Sequence, residues 1–367
     1  MKELIVDLGE RSYPILIGKG LLAQLPERLE SRGIKQGQKL FIVTDEHVAP
    51  LYLDSVLDSL KRGGYTCGYH IVPAGEKVKS LSYLEEITGK ALEAGLDRNA
   101  VFLALGGGVI GDLTGFCAAT YMRGVSFVQI PTTLLAHDSS VGGKVAVNHS
   151  LGKNIIGAFH QPSLVLYDTE TLITLPKREI YAGFAEVVKH GLIWSETFTA
   201  WLSQHSDQLL ALESPFIEEA IYQGCSIKAE VVSKDETEQG VRAILNLGHT
   251  FGHALEAIAE YGGLIHGEAI SIGMVAAAFL AEEIGLIKPE DRIAEQTITL
   301  LKKYHLPVRL PDSFDNDEIL AYMRHDKKGK DGKLVLVLPN AIGSVQMIKS
   351  VDEQDVLKVL NKCREVE

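Results

Sequence analysis

Short β-branched hydrophobic runs alternate with amphipathic segments through the first half of the chain. This alternation is typical of a mostly parallel sheet covered by helices, because strands buried on both faces carry continuous hydrophobic runs. The predicted strands are 4–6, 15–17, 40–44, 68–72, 100–105, 126–130 and 164–167. Helices are predicted between them, near 21–32, 50–62, 80–95 and 111–121.

Helical periodicity takes over after residue 176. The predicted helices lie near 179–194, 196–210, 215–233, 247–261, 267–285 and 290–304, and a late hairpin is predicted at 334–338 and 344–348. We therefore expect an α/β domain over residues 1–177 and an α-helical domain over residues 178–367. A ligand cleft is expected between the two domains.

Composition and charge narrow the possible functions. A chain of 367 residues is too long for one ordinary core, and a net charge of −12 argues against a nucleic acid or an anionic membrane as partner. The four cysteines form no C-x-x-C pair, and the first residues read as a strand instead of a signal peptide. The apolar run 269–281 is too short to cross a bilayer and predicts a buried helix. We expect a cytoplasmic protein with a small-molecule ligand.

Three histidines gather in the segment 245–268. His249 and His253 stand four residues apart in a helical pattern, and His266 follows a Gly-Gly turn. Two imidazoles from one helix and a third from the next element are one way to hold a catalytic divalent metal. A hydrogen-bonded histidine pair lining a core explains the same spacing, and the residues alone leave both interpretations open.

A glycine-rich turn follows the strand predicted at 100–105. Residues 106–112 read GGGVIGD and contain G-x-G-x-x-G between a strand and a helix. Glycines let the backbone approach a pyrophosphate, and the next helix offers N–H groups at its N-terminus. No acid follows at the usual distance, so Asp45 and Glu76 upstream are the candidates for a ribose contact. A tight turn without a ligand is the alternative.

A polar segment follows the strand predicted at 126–130. It combines glycines with Asp138, Lys144, Asn148, Lys153 and Asn154, and we read it as a loop. Such a mixture suits a phosphate or a polyhydroxylated ligand. A solvated surface loop is the alternative, but the glycine turn just upstream favours ligand binding.

Nine sequence blocks along nearly the whole chain carry a more specific signal. They are GGGVIGDLTGF (106–116), YMRG (121–124), PTTLLA (131–136), DSSVGGK (138–144), LGKNIIGAF (151–159), GFAEVVKHG (183–191), DETEQGVRAILNLGHTFGHALE (235–256), HGEA (266–269) and DKK (326–328). With these blocks the chain resembles the 3-dehydroquinate synthases of the shikimate pathway. The resemblance implies a Rossmann-like NAD-binding domain with a mostly parallel sheet, an all-α metal- and substrate-binding domain, and an active site in the interdomain cleft.

The resemblance also implies an activity. Family members convert 3-deoxy-D-arabino-heptulosonate 7-phosphate to 3-dehydroquinate and phosphate, using NAD without net redox and one divalent metal, zinc or cobalt. A homodimer is implied as well. The phosphosugar acid would be the only partner besides the second subunit.

Individual residues receive roles from the same resemblance. Glu186, His249 and His266 match the metal ligands, which moves His253 to the substrate side. Asp138, Lys144, Lys189, Lys228, Glu238, Asn246 and His253 match substrate-binding and catalytic positions. Asn154, Arg242, His253 and Lys327 match phosphate contacts, and Arg123 matches an arginine that reaches in from the second subunit. The NAD site would comprise Asp45, Glu76, Lys79, Gly106, Gly107, Gly108, Val109, Asp112, Thr132, Thr133, Lys144 and Lys153.

Two departures and three alternatives accompany this interpretation. The linker before Asp138 is one residue shorter than the common family form, and Lys328 or Lys330 could replace Lys327. Another sugar phosphate cyclase, such as 2-deoxy-scyllo-inosose synthase, is less favoured because its substrate-facing loop differs at Asp138 and the glycines after it. A metal-dependent glycerol or alcohol dehydrogenase would have no use for the phosphate residues. A non-catalytic NAD-binding module would not need the metal set.

Overall fold

The computed structural model describes residues 1–259, 263–326 and 334–366. Their mutual contacts define two compact units: Met1–Leu175 with Ile217–Thr237, and Pro176–Phe216 with Glu238–Glu367. The units are groups of contacting residues, so the domain boundary expected at residue 177 stays a prediction.

The first unit contains nine strands. They are β1 (Lys2–Val6), β2 (Tyr13–Gly18), β3 (Lys39–Asp45), β4 (Thr66–Val72), β5 (Val101–Gly106), β6 (Ser126–Pro131), β7 (Lys144–His149), β8 (Gly152–Phe159) and β9 (Leu164–Asp168). Seven of them form one sheet in the order β1-β2-β9-β6-β5-β3-β4. Only β1 and β2 pair antiparallel in that sheet, which confirms the mostly parallel sheet predicted from the hydrophobic runs.

Helices cover both faces of this sheet, because successive strand residues point to opposite sides. The helices of the first unit are α1 (Leu25–Ser31), α2 (Asp54–Arg62), α3 (Leu81–Glu93), α4 (Gly108–Thr120) and α5 (Ala136–Ser139). Phe41 and Val43 of β3 join the core under α3 and α4, whereas Leu40 and Ile42 join the core under α1 and α2. The uninterrupted hydrophobic run of β3 is therefore buried on both sides.

The strand order reverses at β3. After β3 the chain adds β4 at the sheet edge and then returns to place β5 on the other side of β3. At such a switch point the two following connections leave in opposite directions, which opens a crevice at the carboxyl ends of the strands. Asp45 ends β3 and Gly106 ends β5, so these candidate NAD-binding residues border the crevice.

Residues 144–159 of the polar segment after β6 form a β-hairpin, so the prediction of a loop is wrong for this part. Strands β7 and β8 pair antiparallel, and Val145 and Val147 contribute to the core that also contains residues of α4. The density of glycine, lysine and asparagine in this segment concealed the two strands, in which Val145, Ala146 and Val147 are buried and no residue of β8 is fully buried. The hairpin carries Lys144, Lys153 and Asn154 on its strands, which are more rigid than a loop.

The second unit is mainly helical. Its helices are α6 (Lys177–Trp194), α7 (Glu196–Gln204), α8 (Ser206–Leu210), α10 (His249–Ile258), α11 (His266–Glu283), α12 (Ile293–Lys303), α13 (Asn316–Asp326) and α14 (Glu353–Arg364), while α9 (Phe216–Lys234) lies almost wholly in the first unit. The late hairpin forms as predicted, with β10 (Leu334–Ala341) and β11 (Ser344–Val351).

Helix α11 confirms the buried helix predicted from the apolar run 269–281. Nearly all of its residues from Gly267 to Ala281 are buried. Within the described residues, no helix is both long and apolar enough to span a membrane.

Candidate active site

The first residues of two helices bring the predicted metal ligands together. His249 begins α10 and His266 begins α11, while Glu186 lies in the buried stretch of α6. Gly267 permits the close approach of α11 to α6, because a Cβ there would lie 2.0 Å from the carbonyl oxygen of Ala182. The glycine after His266 thus determines how near His266 comes to Glu186.

The three side chains have the spacing of a metal site. The Nε2 atoms of His249 and His266 lie 3.7 and 3.5 Å from Oε1 of Glu186. Two ligands of a tetrahedral zinc are about 3.4 Å apart, since each metal–ligand bond is about 2.0–2.2 Å long. The ligand atoms of this set all lie within 4.8 Å of one another, so the residues fit a divalent metal.

A second contact orients each imidazole. Nδ1 of His249 lies 3.1 Å from the carbonyl oxygen of Leu247, and Nδ1 of His266 lies 2.9 Å from Oε2 of Glu256. Both partners accept a hydrogen bond, so each ring carries a proton on Nδ1, and Nε2 is the atom that faces Glu186 and that would bind a metal.

The electrostatics of this cluster favour a cation at His266 and a neutral ring at His249. Burial opposes the charging of His266, but its hydrogen bonds to Glu186 and Glu256 raise its pKa to about 10. Burial holds the pKa of His249 well below its ordinary value, and the nearby Lys189 lowers it further. Negative charge around His266 equally favours a bound metal ion.

His253 lies beside this cluster on α10. Its ring centroid is 5.3 Å from that of His249 and 6.3 Å from that of His266. A second possible ligand group comprises His253, Glu256 and His266. Among the described residues, no such group combines His249 with His253, so the four-residue spacing alone did not define the ligand set.

Four further predicted residues occur in the second unit. Lys189 and Glu186, one helical turn apart on α6, form an ion pair in which both side chains are 1% exposed. Asn246 Nδ2 donates to Glu238 Oε1 at 2.9 Å, and Arg242 between them is buried. Lys327, with its alternatives Lys328 and Lys330, lies outside the described residues.

In the first unit, the glycine turn fits a dinucleotide phosphate. Gly107 precedes α4 without a side-chain cap, so the first N–H groups of a 13-residue helix remain available to an anion. A Cβ at Gly107 would come within 2.9 Å of Thr133, and one at Gly108 within 2.9 Å of Ser139. Thr132 Oγ1 is buried and has no hydrogen-bond partner within the described chain, as expected of a group that contacts a ligand.

Lys79 lies at the centre of a polar cluster in the same unit. Its ammonium donates to Asp112 Oδ2 at 2.8 Å and to Asn154 Oδ1, and lies 3.6 Å from Glu76 Oε1. Burial disfavours its charge, but Asp112 and Glu76 outweigh this effect and raise the pKa of Lys79. The structure thus brings together three predicted NAD-binding residues and one predicted phosphate contact.

Asp138 is held by α9. Lys228 Nζ donates to the carbonyl oxygen of Asp138 at 2.6 Å and to its Oδ2 at 2.7 Å. One turn earlier, Cys225 donates to the carbonyl oxygen of His137 at 3.4 Å. These contacts fix α5 in spite of the short linker before it.

The other predicted residues of the first unit are less enclosed. Asp45 Oδ1 accepts from the backbone N–H groups of His47 and Val48 at 2.8 and 3.0 Å. Lys144 and Lys153 are exposed on β7 and β8. Arg123 is exposed and has a positive φ of 73°.

Sequence reasoning assigned no role to Glu256 or Asn148. Glu256 follows His253 by three residues, so helical spacing could have placed it on the histidine side of α10. Its partner His266 lies on another helix, and only the packing of the two helices reveals the contact. Asn148 was part of the polar segment but gave no separate signal.

Comparison with known proteins gives evidence of the family to which the chain belongs. Two family models match the chain: 3-dehydroquinate synthase N-terminal over residues 69–182, and 3-dehydroquinate synthase C-terminal over residues 183–329. A 3-dehydroquinate synthase from Desulforamulus reducens is 49% identical over 363 residues, which cover 99% of this chain and 100% of that protein.

Two solved structures are similar over almost the whole fold. A 2-epi-5-epi-valiolone synthase from Streptomyces hygroscopicus subsp. jinggangensis, with NAD⁺ and Zn²⁺ bound, has a TM-score of 0.88 at 28% identity and covers 98% of both chains. A 2-deoxy-scyllo-inosose synthase complexed with carbaglucose-6-phosphate, NAD⁺ and Co²⁺ has a TM-score of 0.88 at 27% identity, covering 98% of this chain and all of the other.

Proposed function

The chain belongs to the 3-dehydroquinate synthase family, and from this premise we propose that it converts 3-deoxy-D-arabino-heptulosonate 7-phosphate to 3-dehydroquinate and phosphate. The reaction comprises oxidation, β-elimination of phosphate, reduction, ring opening and intramolecular aldol closure, without net redox. It would make the protein a carbon–oxygen lyase of the shikimate pathway. The observation that carries the proposal is the assembly of Glu186, His249 and His266 in a chain 49% identical to a synthase of this name.

Two bound groups would supply the chemistry that side chains lack. Glu186, His249 and His266 would hold a divalent metal, zinc or cobalt, and the glycine turn with Thr132 would hold NAD. The metal supplies Lewis-acid stabilisation of a hydroxyl that loses its proton, and NAD supplies reversible hydride transfer.

Residues around the metal ligands would bind and orient the sugar. Lys189 is a buried ammonium next to Glu186, so it would stabilise negative charge on a substrate oxygen beside the metal ligands. Asn246 and Glu238 hold one another and would present a donor and an acceptor to substrate hydroxyls. In the first unit, Asp138 with Lys228 and Lys144 would do the same for the remaining hydroxyls and the carboxylate.

A separate set would bind the phosphate. Arg242, His253, Asn154 and Lys327 are the proposed contacts, and each offers N–H donors to phosphate oxygens. Phosphate is also the leaving group, so these donors stabilise charge that grows as the C–O bond breaks. An acidic protein thereby binds an anion through a local concentration of donors.

The proposal is tested with the heptulosonate phosphate and substoichiometric NAD⁺. We expect phosphate release over many turnovers without accumulation of NADH. Steady NADH accumulation would instead identify a dehydrogenase. Phosphate release from a different phosphosugar, but not from this one, would identify another cyclase. NAD⁺ binding without turnover would identify a non-catalytic NAD-binding module.

Substitution of a metal ligand provides the second test. Glu186→Gln keeps the side-chain shape but removes the negative charge that the metal needs, so metal-dependent phosphate release should be lost. Full activity in this variant would refute the metal assignment. Glu295→Gln on the surface of α12 is the matched control and should keep parental activity.

We also propose a homodimer in which Arg123 contacts the substrate phosphate of the other subunit. Arg123 is exposed, and Met122, Arg123 and Gly124 have successive positive φ angles of 47°, 73° and 120°. The molar mass of the purified protein, measured by light scattering, tests whether it is a dimer. Mixing Arg123→Ala subunits with Glu186→Gln subunits tests the shared site, because activity should return only in mixed dimers. The expected cytoplasmic location stays a prediction.

A further inference from the structure

Asn148 connects the turn that carries Glu76 and Lys79 to the strand that carries Asn154. Its backbone N–H donates to the carbonyl oxygen of Lys79 at 2.8 Å. Its side-chain Nδ2 donates to Glu76 Oε1 at 2.8 Å, and its Oδ1 accepts from the backbone N–H of Asn154 at 2.8 Å. One residue thus contacts two predicted NAD-binding residues and one predicted phosphate contact.

The hairpin register explains why Asn148 is available for these contacts. Val147 pairs with Ile156 and His149 pairs with Gly152, so one residue of β7 faces the three residues 153–155 of β8. A bulge of this kind turns side chains away from the regular ladder and is frequent beside active sites. Asn148 bonds outward to the 76–79 turn, and Asn154 is displaced towards the same side.

Asn154 requires this support because its backbone is left-handed. Its φ is 56°, a conformation that asparagine tolerates but that costs energy relative to extended backbone. The N–H of Asn154 would ordinarily belong to the hairpin ladder, and here it donates to Asn148 Oδ1. The amide of Asn148 therefore holds Asn154 in the bulged conformation.

The contact with Lys79 then sets the direction of the Asn154 amide. An ammonium only donates hydrogen bonds, so the atom facing Lys79 Nζ must be the acceptor Oδ1. The two N–H donors of the same amide consequently lie on its opposite edge. Donors on that edge are suited to phosphate oxygens, which only accept.

We propose that Asn148 is a positioning residue that presents the N–H donors of Asn154 to the substrate phosphate and holds Glu76 for the cofactor. This inference rests on the proposed function, because it takes the ligands of Asn154 and Glu76 from it. Asn148 itself touches neither substrate nor cofactor. Its effect on affinity passes through the two residues that its side chain contacts.

Steady-state phosphate release and NAD⁺ binding test this role in the full-length, metal-loaded protein. Asn148→Ala removes both side-chain contacts, so we expect KM for the phosphosugar to rise about fivefold, the equivalent of one hydrogen bond of about 1 kcal/mol. The kcat should fall by a smaller factor than KM rises, because most of the phosphate charge is already bound in the ground state and only the part that grows as the C–O bond breaks affects kcat. Asn99→Ala, an exposed asparagine of the same unit, is the control and should change neither constant.

A double-substitution cycle separates positioning from general destabilisation. If Asn148 acts on phosphate binding through Asn154, Asn148→Ala should add little to KM once Asn154→Ala is present. Effects that multiply independently, or an unchanged KM in Asn148→Ala, overturn the inference. Failure of the unsubstituted protein to release phosphate overturns the proposed function instead, and the NAD⁺ binding of the variants still tests the contact with Glu76.

Asn148→Asp covers the case in which the alanine variant does not fold. Aspartate keeps an acceptor for the Asn154 N–H but sets a second carboxylate against Glu76. KM for the phosphosugar should stay within twofold of the parental value, while the Kd for NAD⁺ rises severalfold. Equal losses in both constants, or no loss in either, would contradict the two separate contacts.

Discussion

Replacing Glu256 with glutamine tests how the metal ligands are oriented. Glu256 would not bind the metal in the proposed set, but its Oε2 lies 2.9 Å from Nδ1 of His266 and fixes the ring that ends at Glu186. Glutamine keeps an oxygen that can accept the same hydrogen bond, removes the negative charge and replaces the second carboxylate oxygen with an NH₂ group. The variant therefore separates the charge of the second contact from its geometry.

The expected magnitude follows from the kind of contact. Removing a hydrogen-bond partner of a metal-binding histidine typically lowers metal affinity about 10- to 100-fold. A charge-assisted hydrogen bond is roughly twice as strong as a neutral one. We therefore expect Glu256→Gln to lose about tenfold in affinity and Glu256→Ala to lose about 100-fold, since alanine leaves the His266 N–H without this acceptor.

Metal affinity is measured directly, without turnover. The apoprotein competes with a chromophoric chelator for Zn²⁺, and titration with Co²⁺ reports ligand geometry through the visible absorption bands. Glu295→Gln, an exposed carboxylate paired with Arg292, is the matched control and should bind as the parent does. Parental affinity and an unchanged cobalt spectrum in Glu256→Ala would refute the orienting role.

Two further substitutions have defined outcomes. Gly267→Ala places a Cβ 2.0 Å from the backbone oxygen of Ala182, which cannot rotate away, so the free energy of unfolding should fall by about 1–3 kcal/mol in urea titrations. Gly89→Ala in α3 meets no atom within 4 Å and should instead stabilise the protein by about 1 kcal/mol; a similar loss in both variants would contradict the packing argument. Tyr167→Phe removes the hydroxyl that donates to the carbonyl oxygen of Thr133, so the Kd for NAD⁺ should rise about fivefold, whereas an unchanged Kd would show that this contact does not support the NAD site.

The sheet of the first unit was predictable because its strands carry their own signal. Runs such as 40–43 and 100–105 are hydrophobic at every position, which only a strand covered on both faces requires. The hairpin of β7 and β8 was missed because its exposed face carries glycine, asparagine and lysine, residues that are common in loops. When ligand binding determines which residues occupy the exposed face of a strand, those residues can match the pattern of a loop.

Helix boundaries and connections were less predictable than helix positions. The segment 196–210 was predicted as one helix, but it breaks at His205 into α7 and α8. Helices α13 and α14 were not predicted, although the buried residues Val356, Val359, Leu360 and Cys363 of α14 have helical spacing. Short amphipathic helices gain most of their stability from tertiary packing, which local sequence does not reveal.

In the candidate site, too, local sequence predicted one part and tertiary packing determined the rest. The spacing of His249, His253 and His266 indicated a metal site but not which two of the histidines would act with Glu186. The choice depends on how these helices pack, because Gly248 allows the close approach of α10 to α11 and Gly267 allows that of α11 to α6. Such choices are made by contacts between elements that are distant in sequence.

The grouping of α9 with the first unit has a consequence for synthesis on the ribosome. The sheet of that unit is complete at β9, but Cys225 and Lys228, which hold α5, are added only after α6, α7 and α8 of the second unit have been made. A nascent chain that ends near residue 177 would therefore have its sheet but not the ammonium that binds Asp138. The last contacts of the first unit must wait for translation to pass through part of the second.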